Sequence, residues 1–206
     1  MSRQCEVMGR QCEEVFVQAC GKGEAAYLIA LLEDIAAELS WQPGEQLRKY
    51  ENQAVHFAAS VNGVLAGGLQ LVPASLCEIL PCELVWPDVC LPKRMETAHI
   101  SVLAVRQEYR GGAGLLWPLC VAMWRYCAQH HIEDISLEVT PDLYRLYRRL
   151  GWPLEIVGDL RQHWGEEYCY LCRMGTAEVA GAMLMKAPRS DLYREIVGLM
   201  SKAWEK

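Results

Sequence analysis

The sequence predicts an α/β fold built on one mixed sheet, and three observations carry that prediction. Two apolar runs flank Asn62-Gly63, a strand, a glycine-rich turn, a helix and a second strand follow one another between residues 98 and 139, and residues 24–39 are apolar at helical spacing. The first pattern is a hairpin and the second a βαβ unit, so antiparallel strands lie at one end of the sheet and a parallel pair at its centre.

In chain order, Glu14 to Cys20 reads as a short strand. Glu24 to Leu39 reads as an amphipathic helix with Tyr27, Leu28, Leu31, Leu32 and Ile35 on its apolar face, stopped by Trp41-Gln-Pro-Gly. Ala54 to Ser60 and Val64 to Val72 are the hairpin strands. Pro73 to Lys93 carries four prolines and little periodicity, and reads as a long loop inside the domain. Ala98 to Val105 is the next strand, and Arg110-Gly-Gly-Ala-Gly114 leads into a helix from Leu115 to about His130. Ile132 to Val139 is a strand, and Pro141 to Leu150 is a short helix ended by Gly151. Leu154 to Val157 and Glu167 to Met174 are the last strands, and a polar helix runs from about Arg189 to Trp204.

At 206 residues the chain predicts a single domain over 1–206, with 176–206 as a C-terminal helical extension. A net charge of −6 argues against general nucleic-acid affinity, because neutralising phosphates takes an excess of Lys and Arg. No apolar run is long enough to span a bilayer, and Met1 to Gly21 shows no secretory pattern, which points to the cytoplasm. The ten cysteines then read mostly as reduced, buried small hydrophobes. Cys169 and Cys172, three apart on a strand, point to opposite faces, which disfavours a metal knuckle or a redox pair. Arg145, Arg148 and Arg149, with Arg106 and Arg110, form a basic patch that reads either as a solvated helix face or as a dock for an acidic partner or a phosphate.

The turn Arg110-Gly-Gly-Ala-Gly114 follows a strand and opens a helix, so its N–H groups and the helix dipole suit an anion. It lacks the Lys-Ser/Thr of a P-loop and the GxGxxG of a dinucleotide fold. His56 reads as a strand residue with a satisfied ring, His130 and His131 as helix-terminal charges, and Cys127 with His131 as packing.

Together, Ile100-Ser-Val-Leu-Ala-Val105, Tyr109-Arg-Gly-Gly-Ala-Gly114 and Leu146-Tyr-Arg-Arg-Leu-Gly-Trp152 resemble the core of the GNAT acyltransferase superfamily. The resemblance implies a central, mostly antiparallel sheet whose βαβ core is splayed. It implies a pantetheine arm along Leu103 and Val105, and a pyrophosphate held by Arg110, Gly111, Gly112, Ala113, Gly114 and Leu115. An Arg-x-x-Gly-x-Gly/Ala pattern placed on Arg110 meets Ala113 and Leu115 instead of the family's small residues. Tyr147, four residues before Gly151, falls where that family often keeps the acid that protonates the departing thiolate, with Tyr144 one turn earlier as its understudy.

A narrower resemblance covers roughly residues 24 to 175. Trp41, Glu45 to Glu51, His56-Phe-Ala-Ala-Ser60, Gly67-Gly-Leu-Gln-Leu-Val-Pro73, Ala98 to Val105 and Gly151-Trp-Pro153 are similar, in order, to the acyl-homoserine lactone synthases and their N-acyl amino acid synthase relatives. That implies a thioester of acyl carrier protein or coenzyme A as co-substrate, no tightly bound cofactor, and a carrier docking on Arg145, Arg148 and Arg149. The acceptor, an amino acid or related small amine, is expected near Trp41, Glu51, Gln70 and Ser101. Where the lactone synthases carry Arg, Glu and Arg, this chain has Gln70, His99 and Val102. Aliphatics near Leu31 and Ile35 replace an Arg and an aromatic residue, and part of the acidic pair reads as Arg48 and Glu51. His99 is then a candidate general base, since a neutral imidazole near pH 7 can take a proton from an amine. A lactone synthase using S-adenosylmethionine, and a non-catalytic binder of acyl thioesters or carrier protein, are the alternatives.

Overall fold

A computed structural model describes residues 14–42, 46–91, 94–110, 114–163, 165 and 167–204. Seven strands form one sheet, β1 Val15–Ala19, β2 Val55–Val61, β3 Val64–Pro73, β4 Thr97–Val105, β5 Asp134–Val139, β6 Glu155–Gln162 and β7 Tyr168–Gly175, in the order β1-β2-β3-β4-β5-β7-β6. Every neighbouring pair is antiparallel except β4–β5. The β2–β3 turn places Asn62 at φ 50° and Gly63 at φ 80°, the positive pair that the tightest right-twisting hairpin turn demands.

Helix α1 (Lys22–Glu38) buries Leu28, Ile29, Leu31, Leu32, Ile35 and Ala36 against the sheet. Tyr27, expected on that face, is instead 77% exposed. α1 comes close because β3 has no side chain at Gly68. A Cβ on Gly68 would meet the Phe57 carbonyl at 2.7 Å as well as Leu28, and one on Gly67 the Ala104 carbonyl at 2.7 Å. The opposite face carries α4 (Leu116–Gln129), whose Trp117, Leu119, Cys120, Met123, Trp124 and Cys127 are buried in the largest core cluster. Helices α6 (Thr176–Lys186) and α7 (Asp191–Trp204) join the same layer through Val179, Met183 and Ile196. Both lie within the helical extension expected over 176–206, of which the sequence bounded only the second as a separate helix.

A four-residue helix α2 (Gln46–Lys49) follows α1. The stretch 73–93 is less of a loop than its prolines predict. It holds a short helix α3 (Pro81–Val85) and buries Leu80, Cys82, Trp86 and Leu91 with Tyr50, Val72, Cys169 and Leu171 as a second core on the α1 side. Cys172 instead faces the α4 core, so the two cysteines of β7 do point to opposite faces. The eight cysteines described are free. No described helix is long and apolar enough to cross a membrane.

Candidate active site

The site begins where two parallel strands part. β4 and β5 pair from Thr97/Asp134 to Ile100/Leu137 and no further. At that point β4 also bulges. Gln70 pairs with Val102 and Leu71 with Ile100, so Ser101 has no Cα partner on β3. The extra residue switches faces, since Ala98 and Ile100 belong to the α4 core while Val102 and Ala104 belong to the α1 core. The two strands therefore enclose a wedge, and its backbone edge beyond Ile100 is free of strand pairing on the β5 side.

A cavity of about 80 Å³ fills the wedge, walled by Ile100 to Leu103 of β4 and Leu137 to Thr140 at the end of β5. Trp41, Leu143, Tyr147, Glu167 and Cys169 close it. A second groove of about 240 Å³ runs on from it past Ile35, Leu39, Val105, Tyr109, Arg110, Leu115 and Leu116. Trp41 and Leu103 line both, so the two volumes are neighbours. Trp41 is set there by the C-terminus of α1, its N–H donating to the Ala36 carbonyl at 2.8 Å.

Tyr147 sits on α5 (Pro141–Leu150), whose ends are fixed by local chemistry. Thr140 caps the N-terminus, its Oγ1 accepting from the Leu143 N–H at 3.3 Å, and Pro141 takes the first turn. Gly151 at φ 85° ends the helix, with its N–H on the Arg148 carbonyl and that of Trp152 on the Tyr147 carbonyl, both at 3.0 Å. Lys186 Nζ and the Tyr193 hydroxyl both donate to the Leu150 carbonyl, at 2.9 and 2.6 Å, so α6 and α7 clamp the end of the helix. The Tyr147 ring stacks on Trp152, 4.6 Å between centroids and 9° from parallel. Burial pushes the phenol up to about 12, so it holds its proton at neutral pH.

Of the residues singled out from the sequence, Trp41, Ser101, Leu103 and Tyr147 line the cavity, and Val105, Arg110 and Leu115 line the groove. Gly114 precedes α4 at the groove's far end, and Gly111, Gly112 and Ala113 lie outside the described residues. Arg110 is held at the mouth, Nε donating to the Val105 carbonyl at 2.7 Å and the guanidinium 3.6 Å from Glu38. Arg145, Arg148 and Arg149 lie exposed on the outer side of α5, with Arg145 paired to Asp142 and Arg148 reaching the Leu154 carbonyl at 3.4 Å.

Besides Gly114, three expected residues line neither volume. Gln70 is fully buried and committed elsewhere, its Nε2 donating to the Leu47 carbonyl at 2.9 Å and lying 3.1 Å from His56 Nε2. Glu51 stands in the 3₁₀ turn before β2. His99 points away from the wedge because it precedes the bulge. It is fully buried, with Nδ1 3.0 Å from Ser136 Oγ and Nε2 3.7 Å from Glu138 Oε1. Between His99 and the cavity stands Glu138, which the sequence reading missed along with Glu167, Thr140 and Leu143. Glu138 alternates with apolar residues on a strand and so carries no motif. Among the described residues, no group of three or more His, Cys, Asp and Glu is placed to hold a metal ion.

Burial lowers the pKa of both His99 and His56, opposed by Glu138 and Glu51 respectively. Below the ordinary histidine value of about 6.5 the unfolded chain therefore binds protons that the native state refuses. This stabilisation is fully present above that pH and is lost as pH falls, with a slope of up to about 1.4 kcal/mol per pH unit for each ring. Urea midpoints measured downwards from about pH 7.5 are expected to fall accordingly, and a flat profile to about pH 5.5 would contradict the burial of both rings.

The family model of the N-acyl amino acid synthase FeeM matches residues 42–165. Among solved structures, FeeM, an N-acyl amino acid synthase from uncultured soil microbes, aligns with a TM-score of 0.70 at 14% identity, over 84% of this chain and 96% of that one. The AHL synthase LasI aligns at 0.63 with 14% identity, over 82% and 96%. A GNAT-family acetyltransferase from Streptococcus pneumoniae aligns at 0.54 with 17% identity, over 79% and 99%. At these identities the structural likeness carries the fold. A comparison with curated sequences finds no significant match.

Proposed function

The chain belongs to the N-acyl amino acid synthase family and is an acyltransferase, and from that premise we propose that it moves an acyl group from a phosphopantetheine thioester, on acyl carrier protein or coenzyme A, to the amine of a small acceptor such as an amino acid. One observation carries the reading: a groove that starts beside α4 and a wedge walled by Tyr147 adjoin at Trp41 and Leu103, along the side of β4 that is unpaired toward β5.

A thioester suits these two volumes piece by piece. The N-terminus of α4, with Leu115 just before it, offers its positive helix end to phosphate, with Arg110 lining the same groove. The pantetheine arm, rich in amides, lies along Leu103 and Val105, where β4 has no pairing on the β5 side. The thioester carbonyl then reaches the wedge between Ser101 and Tyr147, and the acceptor lies near Trp41. Attack by the amine forms the C–N bond, the tetrahedral oxyanion is stabilised by strand N–H groups, and the C–S bond breaks as Tyr147 gives its proton to the sulfur. Much of the acceleration comes from holding two substrates in one dry wedge.

Arg145, Arg148 and Arg149, on the outside of the helix that carries Tyr147, suit an acidic carrier protein. The free, mostly buried cysteines fit a reducing cytoplasm. Thiol release from acyl-coenzyme A and acyl-carrier donors, with pooled amino acids, other amines and S-adenosylmethionine, tests the proposal. Transfer to an amino acid is expected. Turnover supported by S-adenosylmethionine and by no amino acid would assign the lactone reaction instead, and binding without thiol release across the panel would overturn acyl transfer.

A further inference from the structure

We propose that Glu138 is the base of this acyl transfer, taking the proton that the acceptor nitrogen sheds, and that His99 and His163 position its carboxylate and pass the proton on. The inference rests on the acyltransferase reading above and names the group that serves the amine.

Glu138 is the fifth residue of β5, just past the last β4–β5 pair, and it forms part of the cavity wall beside Ser101. Its side chain is only 2% exposed, and its two oxygens face different rings. Oε2 lies 3.1 Å from His163 Nε2, and Oε1 lies 3.7 Å from His99 Nε2. Three separate elements therefore converge on one carboxylate at the wall of a reaction-sized cavity. A buried carboxylate needs such partners to stay ionised. Next to it Ser101, another residue of the lining, is buried with its hydroxyl free of any hydrogen bond. The described lining holds Glu138 and Glu167 but no Lys or Arg, so its field favours an ammonium and the positive charge that develops on an attacking nitrogen.

His99 cannot serve directly. It lies behind Glu138, with its other nitrogen on Ser136. His163 is the ring of the pair that reaches solvent, at 16% side-chain exposure, and Trp86 packs edge-on against it at 6.2 Å. The other titratable groups around the carboxylate are Cys82 and Glu83 on α3, Cys169 on β7, and Glu167. Burial pushes both thiols up to about 12, so neither bears charge at working pH.

The proton count closes. As a neutral amine forms its C–N bond, the nitrogen loses one proton to Glu138. As the C–S bond breaks, sulfur gains one from Tyr147. Glu138 discharges through His163 and the tyrosinate recovers a proton from water, leaving amide and free thiol. An amine that arrives as ammonium gives up one further proton by the same route.

Glu138→Gln in the full chain tests this, with an acyl-coenzyme A donor and two acceptors: whichever pooled amino acid the wild type acylates, and hydroxylamine, which is already neutral at pH 7. With the amino acid, kcat is expected to fall on the order of 10²- to 10³-fold while KM for the donor changes by less than about threefold. The acid limb of the kcat–pH profile is expected to disappear, and the loss is expected to be smaller with hydroxylamine. His99→Asn and His163→Asn, as changes to positioning residues, are expected to move that limb along the pH axis. If E138Q does not fold, Glu138→Asp, which withdraws the charge by one methylene, is expected to lower kcat at least about tenfold. Either variant turning over the amino acid at the wild-type rate with an unshifted acid limb overturns the role of Glu138 while leaving acyl transfer intact. A wild-type protein that acylates no amine overturns both.

Discussion

Tyr147→Phe is expected to lower kcat for thiol release on the order of 10²-fold, with KM for the acyl donor within about threefold. The phenol closes the wedge at the point where the thiolate must depart, and it keeps its proton through neutral pH because burial has pushed its pKa up to about 12. Removing only the hydroxyl leaves the ring stacked on Trp152 and α5 clamped by Lys186 and Tyr193, so the fold is expected to survive. The effect should then appear in kcat and in a dependence on the leaving thiol. A donor with a more acidic thiol needs less protonation and should recover part of the loss. Tyr144→Phe is the control, since Tyr144 stacks edge-on against Tyr170 at 6.1 Å and does not line the cavity. If Tyr144→Phe lowers kcat as much as Tyr147→Phe, the thiol has a different donor.

What the sequence disclosed about this site follows from how local its determinants are. The hairpin at Asn62-Gly63 and the helix between Thr140 and Gly151 are written in turn and capping residues, and both appear where those residues put them. β6 runs Glu155–Gln162, twice the length expected. It is an edge strand, largely exposed, with Gly158, Asp159 and Arg161 inside it, so neither alternation nor apolar content marks it. α6 falls in the helical extension expected over 176–206 but was not bounded as a helix of its own, because its Ala- and Met-rich stretch buries little beyond Val179 and Met183. In the site, the strand that lines both volumes was legible because a backbone pattern defines it. Glu138 was not. Its significance depends on β5 parting from β4 at Leu137 and on His163 arriving from β6, contacts made across 25 or more residues of chain. The bulge at Ser101 had the same effect in reverse. Without it, His99 and Ser101 read as two residues of one face, but only Ser101 reaches the wedge.

Trp152→Ala is expected to cost about 3–5 kcal/mol of stability, read as a lower urea midpoint. Trp152 is 2% exposed and forms the hub of an aromatic cluster, 5.9 Å from Trp117, 6.0 Å from Trp124 and 4.6 Å from Tyr147. The loss is mainly one of packing, because the indole Nε1 is buried without a hydrogen-bond partner and contributes no bond that truncation would break. That makes a sharp contrast available. Trp152→Phe keeps a ring against Tyr147 and forfeits no hydrogen bond, so it is expected to cost well under half as much. The same residue sits directly after the glycine that ends α5 and backs the Tyr147 ring, so the proposed acid ties stability and turnover together at this position. At a temperature where Trp152→Ala remains folded, its kcat should fall as well, since the Tyr147 ring loses the plane that orients it. A variant that loses stability but keeps full kcat would mean that α5 positions Tyr147 through its Thr140 cap and its Lys186–Tyr193 clamp alone, independent of the stacked indole.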